Sequence, residues 1–196
     1  MTHWFKRHSA GLAICLAALG LASAYLRAYS IRGASEVPTV LVGDTIIVYN
    51  TAYVLKAPYS NLKLFQTGAQ RRGDFVYLRI PGNPYLKSGF FKRVIGLPGE
   101  TIELRENRVW IDGHAMPAKA LDASEFAWAP KMHPIGSAVE LEDGHWITFT
   151  PGRGQYRNHP SIRLSANQYF LLGDNRDGSY DSRAFGRCRA RSSWAK

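Results

Sequence analysis

The longest apolar run in the chain lies at its start. From Ser9 to Leu26, SAGLAICLAALGLASAYL, eighteen residues pass without a charge, just after Lys6 and Arg7. As a helix this run spans about 27 Å, close to the roughly 30 Å of a hydrocarbon core. It has no polar face, so it does not read as the half-buried helix of a soluble core. A retained membrane anchor and a secretory signal peptide cleaved after Ala22-Ser23-Ala24 both fit the pattern. Lys6 and Arg7 favour a cytoplasmic N-terminus and export of the remaining chain, an inference that Arg27 and Arg32 weaken.

After this segment the pattern changes to short β-type runs between turn signals. Thr45–Tyr49 (TIIVY) follows Gly43-Asp44; Phe75–Ile80 (FVYLRI) lies between Arg72-Gly73-Asp74 and Pro81-Gly82. Phe90–Ile95 (FFKRVI) stops at Gly96-Leu97-Pro98-Gly99. Thr101–Leu104 and Arg108–Ile111 come next, and Asp112-Gly113 signals a tight hairpin. Trp146–Thr150 and Tyr169–Leu172 complete the set. Residues 114–145, with mixed polarity and scattered Pro and Gly, read as an excursion of loops with one short helix. No repeat, low-complexity linker or further stretch of sustained helical periodicity is present. The expected architecture is one mostly-β domain on an N-terminal membrane segment.

A length of 196 residues suits one domain with a short appendage. Hydrophobic residues at 45% and charged residues at 20% exclude wholesale disorder. The two cysteines, Cys15 and Cys188, exclude a disulfide scaffold and a four-cysteine zinc site. The net charge of +10 raises the question of nucleic acid. Its excess sits at the ends: Lys6, Arg7 and Arg27 at the start, then Arg183, Arg187, Arg189, Arg191 and Lys196 at the finish. Residues 29–182 carry a net of only +2. Basic ends beside an anionic lipid surface explain this distribution without a nucleic-acid groove.

Several generic motifs fail. Gly82 to Ser88 (GNPYLKS) lacks the second glycine of a P-loop, having Leu86 there. An EF-hand register over 173–184 would put Gly173 and Ala184 at its essential carboxylate positions. The six histidines show no paired ligand spacing, and no GxSxG elbow occurs. A serine, a lysine and a Gly/Asp-rich loop remain. Ser35 lies nine residues past the apolar run, and Lys92 lies inside a strand, sharing its face with Phe90 and Val94. If that face is buried, desolvation favours a neutral lysine able to take a proton from a serine hydroxyl. Phe91, Arg93 and Ile95 read just as apolar, so the buried face stays open. So does the choice between a Ser–Lys dyad and a snorkelling lysine near an unrelated loop serine.

Three blocks taken together resemble bacterial type I signal peptidases. They are Ser35-x-x-Pro38-Thr39 with Gly43-Asp44; Lys92-Arg93-Val94-Ile95-Gly96-Leu97-Pro98-Gly99; and Gly173-Asp174-Asn175-Arg176-Asp177-Gly178-Ser179-Tyr180-Asp181-Ser182-Arg183, continued by Phe185-Gly186. Arg72-Gly73-Asp74 also fits. The resemblance runs in order over about 29–186, with 114–165 adding little. It implies a signal-peptidase-like β-sheet catalytic domain on a single N-terminal transmembrane helix. The corresponding division is a cytoplasmic 1–8, an anchor at 9–28 and an exported serine peptidase domain at 29–196 with a short basic tail. Ser35 matches the nucleophile, Lys92 the general base, and Ser179 the hydroxyl that orients the lysine. Asp181 and Arg183 match a supporting charged pair. Arg93 is expected to be structural, and Gly173, Asp174, Asn175 and Asp177 to serve turn chemistry. No cofactor or metal is implied. The implied partners are preprotein signal peptides with small residues at P1 and P3, and membrane lipids; nucleic acid is not among them, and the chain is expected to be monomeric. The implied location is the bacterial inner membrane, single-pass, with the catalytic domain on the extracytoplasmic side.

Three departures from the family pattern qualify this reading. Glu36 stands where methionine usually follows the nucleophile. A carboxylate aimed at Lys92 would favour its ammonium form, so Glu36 is expected to point into solvent. Gly33 occupies a position where many members place a serine as oxyanion donor. After Gly186 the usual Val-Pro and closing strand give way to a basic run poor in apolar residues. A processing peptidase specialised for a conjugation or secretion system, or an inactive membrane-tethered peptide-binding β-domain, are the alternative readings.

Overall fold

The computed structural model describes residues 2–79, 89–122, 138–150, 154–189, 194 and 196. Helix α1 (Thr2–Tyr25) runs directly into β1 (Leu26–Ser30), which pairs antiparallel with β2 (Thr45–Tyr49). A hairpin of β3 (Val54–Lys56) and β4 (Lys63–Gln66) follows, then β5 (Phe75–Leu78) and β6 (Phe90–Gly96). The chain continues through β7 (Thr101–Arg105), β8 (Arg108–Ile111), β9 (His114–Ala115), β10 (Ala118–Ala120), β11 (Ala138–Glu142), β12 (His145–Phe149), β13 (His159–Arg163) and β14 (Gln168–Leu172). The short helix α2 (Ser182–Phe185) and β15 (Cys188–Arg189) come last.

The sheet that positions the site has the order β15-β14-β6-β5. Its strand β6 is paired on both sides, Val76 lying opposite Lys92 and Leu172 opposite Arg93. Both faces of β6 are covered. Val94 packs with Val76, Leu78, Leu171 and Trp194, while Ile95 packs with Ile102, Leu104, Phe170 and Leu172. This resolves the ambiguous periodicity of FFKRVI: a strand buried on both faces has no polar side to show. Gly96 ends it where a Cβ would lie 2.7 Å from Ile102 and 2.8 Å from Leu164. Backbone there must approach the second core too closely for any side chain.

The hairpin at Asp112-Gly113 forms as expected, with φ of 48° and 83° and Ile111 opposite His114. The reading of 114–145 as loops needs correction. Strands β10, β11 and β12 form an antiparallel ladder, turning at Asp143-Gly144 with φ of 46° and 81°. Residues 123–137 of that excursion, and Gly82–Ser88, lie outside the described residues.

The outermost elements are tied to the β-domain. The 18-residue window His8–Tyr25 is apolar enough to cross a membrane, and none of it is buried against protein. Its last turns dock on the β3–β4 hairpin: Tyr59 donates to the Gly20 carbonyl, Tyr59 and Ser23 hydroxyls lie 2.7 Å apart, and Tyr25 donates to the Lys56 carbonyl at 3.0 Å. The basic run after Gly186 does supply a closing strand, contrary to expectation. β15 pairs with β14, Cys188 is buried, and the Trp194 ring sits 5.5 Å from that of Tyr169. Lys196 exchanges main-chain hydrogen bonds with Tyr49 and its ammonium lies 2.6 Å from Asp74.

Candidate active site

Ser35 sits on the loop between β1 and β2, closed at its base by Ile31 N–H to the Asp44 carbonyl and Gly43 N–H to the Ile31 carbonyl, both 2.8 Å. The loop is fixed from the opposite side by the 173–178 segment. Asn175 N–H donates to the Ser35 carbonyl at 3.0 Å, and Asn175 Nδ2 to the Ala34 carbonyl at 3.0 Å. Gly173 permits this approach, since a Cβ there would lie 2.5 Å from the Ser35 carbonyl oxygen.

These constraints bring Ser35 and Lys92 together across the fold. Lys92 Nζ donates to Ser35 Oγ at 2.9 Å, to Glu36 Oε1 at 2.5 Å and to the Phe91 carbonyl at 2.7 Å. Ser35 Oγ donates to the same Glu36 oxygen at 2.8 Å. Lys92 and Glu36 are each only 2% exposed. The expectation that Glu36 points into solvent is therefore wrong: the site is a buried cluster of hydroxyl, ammonium and carboxylate. Two donors and an opposite charge draw the carboxylate inward. Burial still pushes its carboxyl up to about 7; Lys92 and the Ser35 hydroxyl oppose this rise, and the nearby Asp174 carboxylate adds to it.

Ser179 is buried close by, but no hydrogen bond joins its hydroxyl to Lys92. The expected bond to Lys92 is absent for a countable reason. The ammonium has three N–H groups, and Ser35, Glu36 and Phe91 take all three.

Asp181 and Arg183, expected as a supporting pair, bond to each other. Arg183 Nε and Nη2 donate to the two Asp181 oxygens at 2.8 and 2.7 Å, and Gly173 N–H donates to Asp181 Oδ2 at 3.1 Å. Burial alone would raise the Asp181 carboxyl, yet Arg183 and these donors hold it below the usual carboxylate range. Asp174 does more than shape a turn. Arg93 grips it with two hydrogen bonds of 2.8 and 2.6 Å, and Thr39 donates to it from the Ser35 loop. Sequence reasoning also missed Arg176 and Glu142, a fully buried ion pair linking the same loop to β11. Its partners lie 34 residues apart, one of them in the stretch read as loops.

Beside Ser35 and Glu36 opens a cleft of about 460 Å³, walled by Tyr29, Ile31, Tyr77, Phe90 and Phe91. Tyr29 and Tyr77 pack with ring centroids 4.3 Å apart, giving one wall a rigid aromatic surface.

Known proteins match this chain along most of its length. A family model described as "Signal peptidase, peptidase S26" matches residues 1–195. A signal peptidase I of Pseudomonas aeruginosa is 32% identical over 84% of this chain, and one of Pseudomonas fluorescens 31% identical over 84%. The chain covers 57% of each of these relatives, little more than half their length. A crystal structure of a signal peptidase I from Enterococcus faecalis is 28% identical, matching 62% of this chain and 91% of that one with a TM-score of 0.37. With the match extending over nearly every residue, from the apolar helix to Ala195, the chain belongs to the signal peptidase, peptidase S26, family.

Proposed function

We propose that this chain is a membrane-anchored serine endopeptidase that removes signal peptides from exported preproteins through Ser35 and Lys92. The observation that carries this reading is the 2.9 Å approach of Lys92 Nζ to Ser35 Oγ, made by a lysine buried within a strand that is paired on both sides. Lys92, once neutral, takes the Ser35 proton as Oγ attacks the scissile carbonyl. It then delivers that proton to the leaving amine. An incoming water gives its proton to Lys92 as it opens the acyl-enzyme, and Ser35 regains a proton as the acid product leaves. The Ser35 backbone N–H serves as one oxyanion donor, a type of group whose loss costs about 10²–10³ in rate.

The aromatic-walled cleft suits an extended peptide with small side chains at P1 and P3, whose main chain would bind against a strand edge. α1 is the anchor, in a bacterial inner membrane, with the β-domain on the extracytoplasmic side.

The test uses full-length protein in detergent and a preprotein with an Ala-x-Ala site. Wild type is expected to cut at that bond while S35A and K92A do not. Cleavage that survives in S35A would sink the assignment of the nucleophile. A folded wild type that cuts no such preprotein would favour the specialised or inactive readings.

A further inference from the structure

We infer that Glu36 sets the charge state of the base: it holds Lys92 as an ammonium at rest and takes up its proton before Ser35 is activated. This rests on the reading of Ser35 and Lys92 as nucleophile and base. A single oxygen, Glu36 Oε1, accepts from both reacting groups, Ser35 Oγ at 2.8 Å and Lys92 Nζ at 2.5 Å. The other oxygen, Oε2, is buried with no hydrogen-bond partner among the described residues. An ionised carboxylate offers about four lone-pair sites, and here only two donors meet them. The anion is thus incompletely solvated, and the acid form lies within reach near neutral pH. The charged groups facing it are Lys92 and Asp174, the latter already gripped by Arg93.

The proton balance is simple. At rest the pair is Glu36 carboxylate with Lys92 ammonium. An N–H bond of Lys92 breaks and an O–H bond forms on Oε1, so the pair becomes acid and amine with no proton gained or lost. The freed lone pair on Nζ then removes the Ser35 proton. A substrate that displaces water from the cleft favours this neutral pair, because desolvation penalises the ionic one. At rest the carboxylate therefore restrains the base, and the filled cleft releases it.

The pair has three protonation levels. With both groups protonated Lys92 is inactive. With one proton shared, activity follows the fraction present as the neutral pair. With none, Lys92 is free. The wild-type profile of kcat/KM against pH should therefore rise in two steps around a shoulder. Glutamine at position 36 still accepts both hydrogen bonds but cannot take a proton, so E36Q should show one limb at lower pH than the upper wild-type step.

The experiment measures kcat/KM for full-length wild type, E36Q and E36M in detergent across about pH 5 to 10. For both variants the expected result is a half-maximal pH lower by about one unit or more, with activity near neutrality about tenfold higher. A uniform loss at every pH, with the profile shape kept, would reduce Glu36 to a structural part. An unchanged profile would make it a bystander. A second measurement does not depend on cleavage: the nitrogen-15 resonance of Lys92 Nζ, assigned by its loss in K92R, followed against pH in wild type and E36Q. Titration at lower pH in E36Q supports the inference even if no preprotein is cut, and identical titration overturns it.

Discussion

Asn175 holds Ser35 by its main chain: the Asn175 N–H donates to the Ser35 carbonyl at 3.0 Å, and its side chain secures the Ala34 carbonyl one residue earlier. The Asn175 amide oxygen in turn accepts from Gly178 N–H at 2.9 Å. One residue thus ties the Ser35 loop to the Gly/Asp-rich loop. In N175A the main-chain bond can survive while the side-chain ties are lost. The expected outcome is a fall in kcat of about 10- to 100-fold, since small displacements of a nucleophile carry that penalty. Loss of stability should stay near 1–3 kcal/mol. Steady-state kinetics beside a urea melt check this, and a kcat within twofold of wild type would contradict it.

Breaking the buried pair of Arg93 and Asp174 should act on stability first. D174N leaves the guanidinium buried without its counter-charge, which costs about 3–5 kcal/mol. Replacing both partners by apolar residues, as in R93M with D174L, should cost less than D174N alone. Chemical denaturation of the three proteins decides the point; a double variant weaker than D174N would refute it.

Acid should loosen the site from behind. Arg183 and nearby donors hold Asp181 below the ordinary carboxylate range despite its burial, and Lys196, Tyr53 and Arg71 do the same for Asp74. A carboxyl with a depressed folded-state pKa contributes stability above its unfolded value, about 3.9, and loses it as pH falls through the folded value. Unfolding free energy should therefore drop as pH is lowered below about 4. R183Q should make that drop shallower, because Asp181 then titrates nearer its unfolded value. Urea melts of both proteins between about pH 2 and 7 check this, and parallel curves would contradict it.

Trp194 gives a fourth test. It is buried in the core that backs β6, against Tyr169. W194A should cost about 3–5 kcal/mol. A loss under about 1 kcal/mol by thermal or urea melting would show that this part of the chain packs only loosely.

The parts of the fold legible in the sequence were those where local signals agree with tertiary demand. TIIVY and RVWI became the strands Thr45–Tyr49 and Arg108–Ile111, because turn residues bound each of them. Asp143-Gly144 carries the same hairpin signal as Asp112-Gly113. Glu140 and Glu142 hid it by breaking the apolar pattern, and Glu142 is buried only because Arg176 reaches it from a distant loop. Glu36 misled for a similar reason. A lone charged residue is usually exposed, and nothing nearby in sequence shows that Lys92, 56 positions later, supplies its counter-charge. The closing run was obscured by its arginines, while the single Trp194 that packs inward was the signal available.

The passage of α1 into β1 without a linker has a geometric consequence. Nine residues separate Tyr25, where the apolar helix ends, from Ser35. Five of them are the strand Leu26–Ser30, paired to β2 and unable to stretch further. At about 3.4 Å per strand residue, β1 contributes roughly 17 Å, and the whole tether cannot exceed about 35 Å. With α1 in a bilayer, this short, stiff leader acts as a ruler. It would fix the height at which Ser35 stands above the lipid, so that, on the proposed function, the distance of a peptide bond from the membrane counts as well as its side chains.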